Sequence, residues 1–347
     1  MPVPPVVVVG AGLAGACAAL ALARTGPVVV LEAVGPAAGA SGAAAGLVNP
    51  FAGRRAARGW RASEALTALD RLADEAGVAV SRTGILRPAR DATQAAAFRD
   101  AASGHPAEAL FVAPEVSAER WPGIAAPQGA LWIPGGGHVD VGALVRATLA
   151  AAVRHRADVR TAHVRQWRHE DGQLIAITDT DRIAAQALVL CPGADVEALV
   201  PGTWGRVKGQ TATLGAALPP GFPAVAGGVY VVPTAAGAVV GATYEHTFTT
   251  LDADPAASLT LRDRAARLVP TLADAPVLGA RAGVRLTVPA SVSPERLPRL
   301  GRVAPGVWLF AGLGSRGLLT APLLAEWLPA ALSDPSCVPA GLGFGSG

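Results

Sequence analysis

Gly10, Gly12 and Gly15 stand as G-x-G-x-x-G inside VVVVGAGLAGACAALALA, and Glu32 follows 20 residues after Gly12. Glycines at this spacing can hold a pyrophosphate. The first permits a tight turn, the second lets the backbone approach the phosphates, and the third lets a helix pack closely on a strand. The helix that follows would turn its free amides and partial positive charge toward the phosphates. Glu32, at the end of a second strand, is placed to accept a ribose hydroxyl. The loop predicts a dinucleotide without choosing between NAD and FAD, which share adenosine and pyrophosphate.

A second glycine turn makes that choice. Val307 to Leu319 reads VWLFAGLGSRGLL, with Gly312, Gly314 and Gly317 between a β-rich run and a leucine-rich one. It aims another helix N-terminus at something negative. In flavoproteins that target is the N1–C2=O edge of the isoalloxazine, which becomes anionic on reduction. FAD is therefore the expected cofactor. Arg285, in G-V-R, is expected to hold a substrate carboxylate as a bidentate cation, with Arg281 as second choice. Tyr230 and Tyr244, the only 2 tyrosines, precede it in a β-rich region. A phenol there can hydrogen-bond a carboxylate and cover the flavin, or simply pack in a core. The 6 histidines, His105, His138, His155, His163, His169 and His246, show no paired spacing, so no metal is expected.

These residues need elements to carry them. Val6–Val9 reads as a buried strand, Leu13–Ala23 as a helix and Val28–Leu31 as a second strand, a complete βαβ opening. Ser63–Ala76 and Asp140–Arg154 read as helices, Ala187–Leu190 and Val307–Ala311 as strands, and Leu318–Leu332 as a closing helix. Between them, Gly129–Pro134, Gly228–Pro233 and Ala238–Thr243 are short, β-rich and bounded by Gly or Pro, as antiparallel strands are. The expected class is α/β: a discontinuous Rossmann-like FAD-binding domain with an inserted α+β substrate domain built on an antiparallel sheet. The boundaries expected are 1–80, 135–205 and 281–347 for the FAD-binding parts, and 81–134 and 206–280 for the substrate parts. Ser333–Gly347 reads as a loose tail.

Composition agrees. The chain has 347 residues, 51% hydrophobic and 16% charged, which suits a folded protein rather than a disordered one. Lys208 is its only lysine, and a net charge of +3 does not by itself argue for nucleic acid. Residues 2–23 carry no charge, but no basic segment precedes them as in a signal peptide, so neither export nor a membrane span is expected. Cys17, Cys191 and Cys337 are too few and scattered for a disulfide framework, which fits a cytoplasmic setting.

Further motifs carry a resemblance. Ala40, Ser41 and Gly42, then Gly46 and Pro50, form A-S-G-x-x-x-G with a later proline. Val207, Gly209 and Gln210 form V-x-G-Q, and Gly241–Tyr244 reads G-A-T-Y. Arg281, Gly283, Val284 and Arg285 precede Leu297, Pro298 and Gly301. Leu313–Leu318 reads L-G-S-R-G-L, followed by Ala321, Pro322, Leu323, Ala325 and Glu326. In this order, and over nearly the whole chain, they resemble the D-amino-acid-oxidase-like family of FAD-dependent amine oxidases. Within it they resemble the oxidoreductase half of bifunctional tRNA-modifying enzymes. Ala43–Ala45 replace polar residues usual in the Ser41–Gly42 loop, and Cys191 stands where alanine is common. The resemblance implies oxidation of an amine whose neighbouring carbon bears a carboxylate, with hydride passing to FAD, hydrolysis of the imine, and molecular oxygen as reoxidant. The residues expected to hold FAD are Gly10, Ala11, Gly12, Leu13, Ala14, Gly15, Glu32, Ala33, Ala40, Ser41, Gly42, Gly46, Leu47, Val164, Gly193, Gly312, Gly314, Ser315, Arg316, Gly317 and Leu318. Val164, through backbone contacts to the adenine, is implied by the resemblance alone.

Phe51–Arg61 reads FAGRRAARGWR, where Arg54, Arg55, Arg58 and Arg61 interleave with Phe51 and Trp60. Such a mixture can bind phosphates and stack a base, or be a solvated helix start that happens to be basic. Three readings follow. The first removes the carboxymethyl group from 5-carboxymethylaminomethyl(-2-thio)uridine at the tRNA wobble position, giving the aminomethyl form and glyoxylate. It would take a separate methyltransferase partner, because the resemblance's methyltransferase half is not among these residues. The second is a glycine-, D-amino-acid- or sarcosine-type oxidase of small free amines, releasing hydrogen peroxide. The third is a flavoprotein that binds partners without turnover.

Overall fold

Four consecutive valines open the central sheet. Val6–Val9 is β-branched throughout, which suits a strand covered on both faces. In this computed structural model, which describes residues 4–293 and 295–343, that strand lies mid-sheet. The strand order is Ala157–Thr161, Val28–Glu32, Val6–Val9, Ala187–Leu190, Val307–Ala311, Arg299–Ala304. The first five run parallel. The last returns antiparallel beside Val307–Ala311. Val8, Val30 and Val189 face a helical layer. Val7, Val9, Val29 and Leu31 face a second layer built on the three-stranded antiparallel sheet Val164–Glu170, Gln173–Thr178 and Arg182–Ala185.

The helical layer consists of Leu13–Ala23, Ala62–Ala76, Val141–Arg154 and Gly317–Ser333. Asp140 caps Val141–Arg154 by accepting from the Ala143 amide at 2.9 Å. Leu13–Ala23 is buried on nearly every side, so it is apolar all round without entering a bilayer. Among the described residues no helix is long and apolar enough to cross a membrane.

The second unit is an eight-stranded sheet. Its order is Val277–Thr287, Gly205–Leu214, Gly237–Gly241, Tyr230–Thr234, Ala224–Ala226, Ile85–Pro88, Ala130–Ile133, Leu110–Val112. All neighbours are antiparallel except Ala224–Ala226 beside Ile85–Pro88. Helix Pro255–Ala266 covers one face and helix Ala92–Gly104 part of the other. The expected class, a discontinuous dinucleotide-binding unit with an inserted antiparallel unit, is the one observed. Val277–Thr287 pairs with Gly205–Leu214 along its length, so the expected boundary at residue 281 falls inside a strand of the inserted sheet. The sequence pattern shows a strand there but not which sheet it joins. Of the expected tail, residues 344–347 lie outside the described residues.

Candidate active site

The glycine turn closes because nothing larger fits. Gly10 has φ +99°, and a Cβ there would lie 2.4 Å from the Cys191 carbonyl oxygen. A Cβ on Gly15 would lie 1.8 Å from the Gly10 carbonyl oxygen. The Gly10 amide donates to the Leu31 carbonyl and the Cys191 amide to the Val9 carbonyl, both at 2.8 Å, which ties three strand ends together. The first amides of Leu13–Ala23 have no acceptor within the helix and face outward from that knot. Glu32 closes the side of the turn. Its Oε2 accepts from the Ala11 amide at 2.6 Å, and its Oε1 from the Val34 and Gly35 amides at 3.0 and 3.3 Å. Ala33 lies in this closure. Val164 starts its strand close by, two residues after Ala162, whose amide donates to the Glu32 carbonyl at 2.9 Å. Gly193, at φ +59°, follows Cys191 on the other side.

The Ala40–Leu47 segment joins this knot to the inserted sheet. Ser41 Oγ accepts from the Leu13 amide at 3.0 Å, at the helix N-terminus. Gly46 has φ +75°, and a Cβ there would strike the Val139 carbonyl oxygen. Leu47–Val48 pairs antiparallel with Gly137–His138. A Cβ on Gly283 would come 2.8 Å from Ala40 Cα, so the segment lies directly on the sheet face. Thr211 Oγ1 donates to the Ala43 carbonyl at 3.2 Å and Arg281 Nη1 to the Gly42 carbonyl at 3.1 Å. Arg281 therefore anchors the loop.

The second turn stands beside the first. Gly312 and Gly314 have φ +73° and +57°, and a Cβ on Gly312 would lie 2.8 Å from Val288 Cγ2. The Gly314 amide donates to the Leu286 carbonyl at 2.9 Å. A Cβ on Gly317 would sit 3.9 Å from Leu13 Cδ2, so the N-termini of Leu13–Ala23 and Gly317–Ser333 are neighbours. Two narrow glycine turns and two adjacent helix N-termini suit an extended, pyrophosphate-linked dinucleotide. Ser315 is exposed and Leu318 buried. Arg316 donates to the Glu295 and Arg296 carbonyls at 3.0 and 2.6 Å, and burial lowers its pKa. Its guanidinium is thus used on the protein, and its amide donates to the Leu313 carbonyl at 3.1 Å.

Strand register brings the residues expected at the amine site to one face. Val207 pairs with Arg285, Gly209 with Gly283 and Thr211 with Arg281. Gly241 pairs with both Thr211 and Tyr230. A Cβ on Gly209 would lie 1.8 Å from Arg285 Nη2, and one on Gly241 would lie 2.9 Å from the Tyr230 hydroxyl. Each glycine is a hollow for a neighbour's polar end. Arg285 Nη2 donates to the Thr243 carbonyl at 2.9 Å, and its guanidinium carbon lies 4.2 Å from the centre of the Tyr244 ring. Among the described residues no carboxylate pairs with Arg285. Tyr244 is 62% exposed at the mouth of this face.

Burial pushes the Tyr230 phenol from 10.0 up to about 12, against the pull of Arg285 and with a further push from Tyr244. Tyr230 is therefore a neutral hydrogen-bonding group at neutral pH. The unfolded phenol loses its proton near 10 and the folded one only near 12. Between those values the unfolded state binds fewer protons, so stability is level below pH 10 and falls as pH rises toward 12. Chemical denaturation of wild type and Tyr230→Phe at pH 8 and 11 checks this. The variant should lose less stability between the two, and equal losses would contradict it.

The basic segment is largely occupied. Phe51 is fully buried. Trp60 meets Trp327 edge-on at 6.2 Å. Arg58 pairs with Glu108 at 2.9 Å, and Arg61 pairs with Glu64 while lying over both tryptophans. Arg54 and Arg55 are exposed and have no carboxylate partner among the described residues. Beneath them sits Arg87, which the sequence pattern did not single out. It is buried and donates to the Phe51 and Gly53 carbonyls at 2.7 and 2.6 Å, with burial lowering its pKa to about 10. Its only trace in the sequence is a charge inside the apolar run Ile85–Pro88. Among the described residues no group of three or more His, Cys, Asp or Glu is gathered as metal ligands would be.

Comparison with known proteins matches residues 5–330 to a family described as DAO, FAD dependent oxidoreductase. The tRNA 5-methylaminomethyl-2-thiouridine biosynthesis bifunctional protein MnmC of Maricaulis maris (strain MCS10) is 33% identical over 332 residues, covering 94% of this chain and 52% of that protein. The protein of the same name from Thiobacillus denitrificans (strain ATCC 25259 / T1) is 35% identical over 361 residues, covering 93% and 55%. The chain thus spans about half the length of these relatives. Among solved structures, iminodiacetate oxidase from Chelativorans sp. BNC1 superposes with a TM-score of 0.82 at 26% identity, covering 97% of this chain and 96% of that one. Glycine oxidase from Geobacillus kaustophilus superposes with a TM-score of 0.83 at 23% identity, covering 94% of each, a likeness of fold.

Proposed function

The chain belongs to the DAO family of FAD-dependent oxidoreductases, and from that premise we propose that it acts on a CH–NH group, oxidising a secondary amine bearing a carboxymethyl arm. The substrate favoured is 5-carboxymethylaminomethyluridine at the tRNA wobble position, with or without the 2-thio group. Amine, water and oxygen would become the aminomethyl nucleoside, glyoxylate and hydrogen peroxide, a reaction placed in the cytoplasm with its tRNA. The observation that carries the reading is Arg285: a guanidinium seated on a glycine, faced by Tyr244 and without a carboxylate partner among the described residues.

FAD, when bound, supplies the two-electron acceptor for the carbon between amine and carboxylate. The two glycine turns, with Glu32, Ser41 and the Gly46–Leu47 corner, are the residues that would hold it. Arg285 would take the carboxylate in a bidentate, charge-assisted pair. Tyr230, kept neutral, would donate a hydrogen bond from the same face, and Tyr244 would cover the arm. Holding the carboxylate fixes the carbon next to it, which is where orientation accelerates the reaction.

Support for a tRNA comes from the name shared by the bifunctional relatives. The occupied state of Phe51, Arg58, Trp60 and Arg61 favours a second reading, oxidation of a small free amine of the glycine, D-amino-acid or sarcosine type. Anaerobic bleaching of the bound flavin separates the two. Carboxymethylaminomethyluridine tRNA should bleach it at low micromolar concentration, and glycine, sarcosine and D-alanine only at far higher ones. The reverse order would replace the first reading by the second. On the first reading, Arg54→Ala/Arg55→Ala weakens tRNA binding about tenfold at 0.15 M salt and lowers the slope of log K against log salt by about 1.5, since two phosphate contacts are lost. Filter binding across a salt series measures this, and an unchanged slope would remove the segment from the interface.

A further inference from the structure

Lys208 is the only lysine among 29 lysines and arginines, and its side chain is only 4% exposed. It lies on the reverse of the sheet from Arg285. Val207 and Gly209 share the Arg285 face by register, so Lys208 and Gln210 point the other way. Gln210 meets helix Pro255–Ala266 there, with Nε2 donating to Ser258 Oγ and to the Asp254 carbonyl, both at 2.7 Å.

After Gly241 the chain continues beside Gly205–Leu214. The Thr243 amide donates to the Gln210 carbonyl at 3.2 Å, and Lys208 and Glu245 exchange amide-to-carbonyl bonds at 2.9 Å each. Alternation then divides three consecutive residues between two faces. Tyr244 goes to the front, over Arg285. Thr243 and Glu245 turn their side chains to the back, where Thr243 Oγ1 donates to Glu245 Oε1 at 2.8 Å and accepts from the Gln210 amide at 2.9 Å. Lys208 Nζ stands 3.8 Å from Glu245 Oε2. The Thr243 carbonyl returns to the front and accepts from Arg285. One tripeptide is fastened behind by Lys208 and Gln210 and carries in front both groups that hold the guanidinium.

We propose that the Lys208–Glu245 pair positions the carboxylate-binding arginine: by fixing Thr243–Glu245 from behind, it keeps the Thr243 carbonyl and the Tyr244 ring on Arg285. This rests on the reading of Arg285 as the carboxylate anchor. Lys208 is buried while Glu245 reaches the surface, and such a pair adds little net stability, so its value lies in defining one arrangement. A lysine suits the place because its slim stem fills the back face, whereas the broad guanidinium fork of arginine needs more room.

The test uses FAD-loaded enzyme and two inert probes, acetate with a carboxylate and ethylamine without one, titrated against the visible flavin spectrum. Lys208→Met should raise the Kd for acetate about tenfold, which is about 1.4 kcal/mol, and leave that for ethylamine within about twofold. With an amine that bleaches the flavin, KM should rise and kcat change much less. Glu245→Gln keeps the Thr243 hydrogen bond, removes the charge and should give the same split if Lys208→Met does not fold. Arg285→Met is the reference. If it leaves acetate binding unchanged, the anchor reading itself fails. If it abolishes acetate binding while Lys208→Met and Glu245→Gln leave it intact, or if they weaken both probes equally, the positioning proposal is overturned.

Discussion

Gly15→Ala should yield a colourless protein. The added Cβ would lie 1.8 Å from the Gly10 carbonyl oxygen, about half of an ordinary contact distance. No rotamer relieves this, because the clash is between a Cβ and the backbone. Helix Leu13–Ala23 would have to lift off the strand end, yet it is buried on nearly every side between the sheet and its neighbouring helices. Overpacking of this sort costs about 1–3 kcal/mol, so a fall of roughly 5 °C in Tm is expected. The effect on FAD is larger than on the fold. Lifting the helix moves its first amides away from the phosphates, and a Kd raised about 100-fold corresponds to about 2.7 kcal/mol. Gly35→Ala is the control, since a Cβ there meets nothing within 4 Å. Flavin fluorescence titration of both apoproteins, with circular dichroism to show that they fold, measures the outcome. A yellow Gly15→Ala protein with near-native affinity would contradict the assignment of this turn to the pyrophosphate.

The parts of the fold that were readable in the sequence are those where one local signal sufficed. Val6–Val9, Leu13–Ala23, Ala187–Leu190 and Val307–Ala311 occur where the residue types place them, because β-branched or alanine-rich runs end at glycines. The glycine spacings were readable because Gly10, Gly15 and Gly312 are steric requirements, where a Cβ would lie 2.4, 1.8 and 2.8 Å from a neighbouring atom. Partners distant in the chain were not. Phe51–Arg61 looks uniformly basic and aromatic, but Arg58 is neutralised by Glu108 and Trp60 rests on Trp327, which no local pattern encodes. Arg281 and Arg285 lie four residues apart in one strand, and the sequence ranks Arg285 first without showing what either meets. Only the folded chain shows what each meets: Arg281 donates to the Gly42 carbonyl in the loop, while Arg285 donates to the Thr243 carbonyl and lies against the Tyr244 ring. Lys208 and Arg87 are charges inside buried strands, and their uses depend on Glu245 and on the Phe51 and Gly53 carbonyls across the fold.

Gly209→Ala should reproduce the loss of Arg285 without touching it. The guanidinium rests where a side chain at 209 would be, with the substituted Cβ 1.8 Å from Nη2. An alanine at 209 evicts it from the hollow, from the Thr243 carbonyl and from the Tyr244 ring. Arg285→Met removes the cation outright. A desolvated, hydrogen-bonded charge pair lost from a binding site costs about 2–5 kcal/mol, so kcat/KM for a carboxylate-bearing amine should fall about 1000-fold in Arg285→Met. Gly209→Ala should lose about 100-fold, because the displaced guanidinium remains nearby. Arg285→Lys should recover only part of the activity, since an ammonium cannot make the bidentate pair. The double variant carries the argument. Independent residues would multiply their losses, whereas two changes acting through one guanidinium should leave it no worse than Arg285→Met. Single-turnover anaerobic bleaching with the same amine reads all four proteins. Multiplicative losses would mean that Gly209 acts on something other than Arg285. Unimpaired bleaching in Arg285→Met would mean that the carboxylate binds elsewhere, leaving this arginine as a brace between the Thr243 carbonyl and the Tyr244 ring.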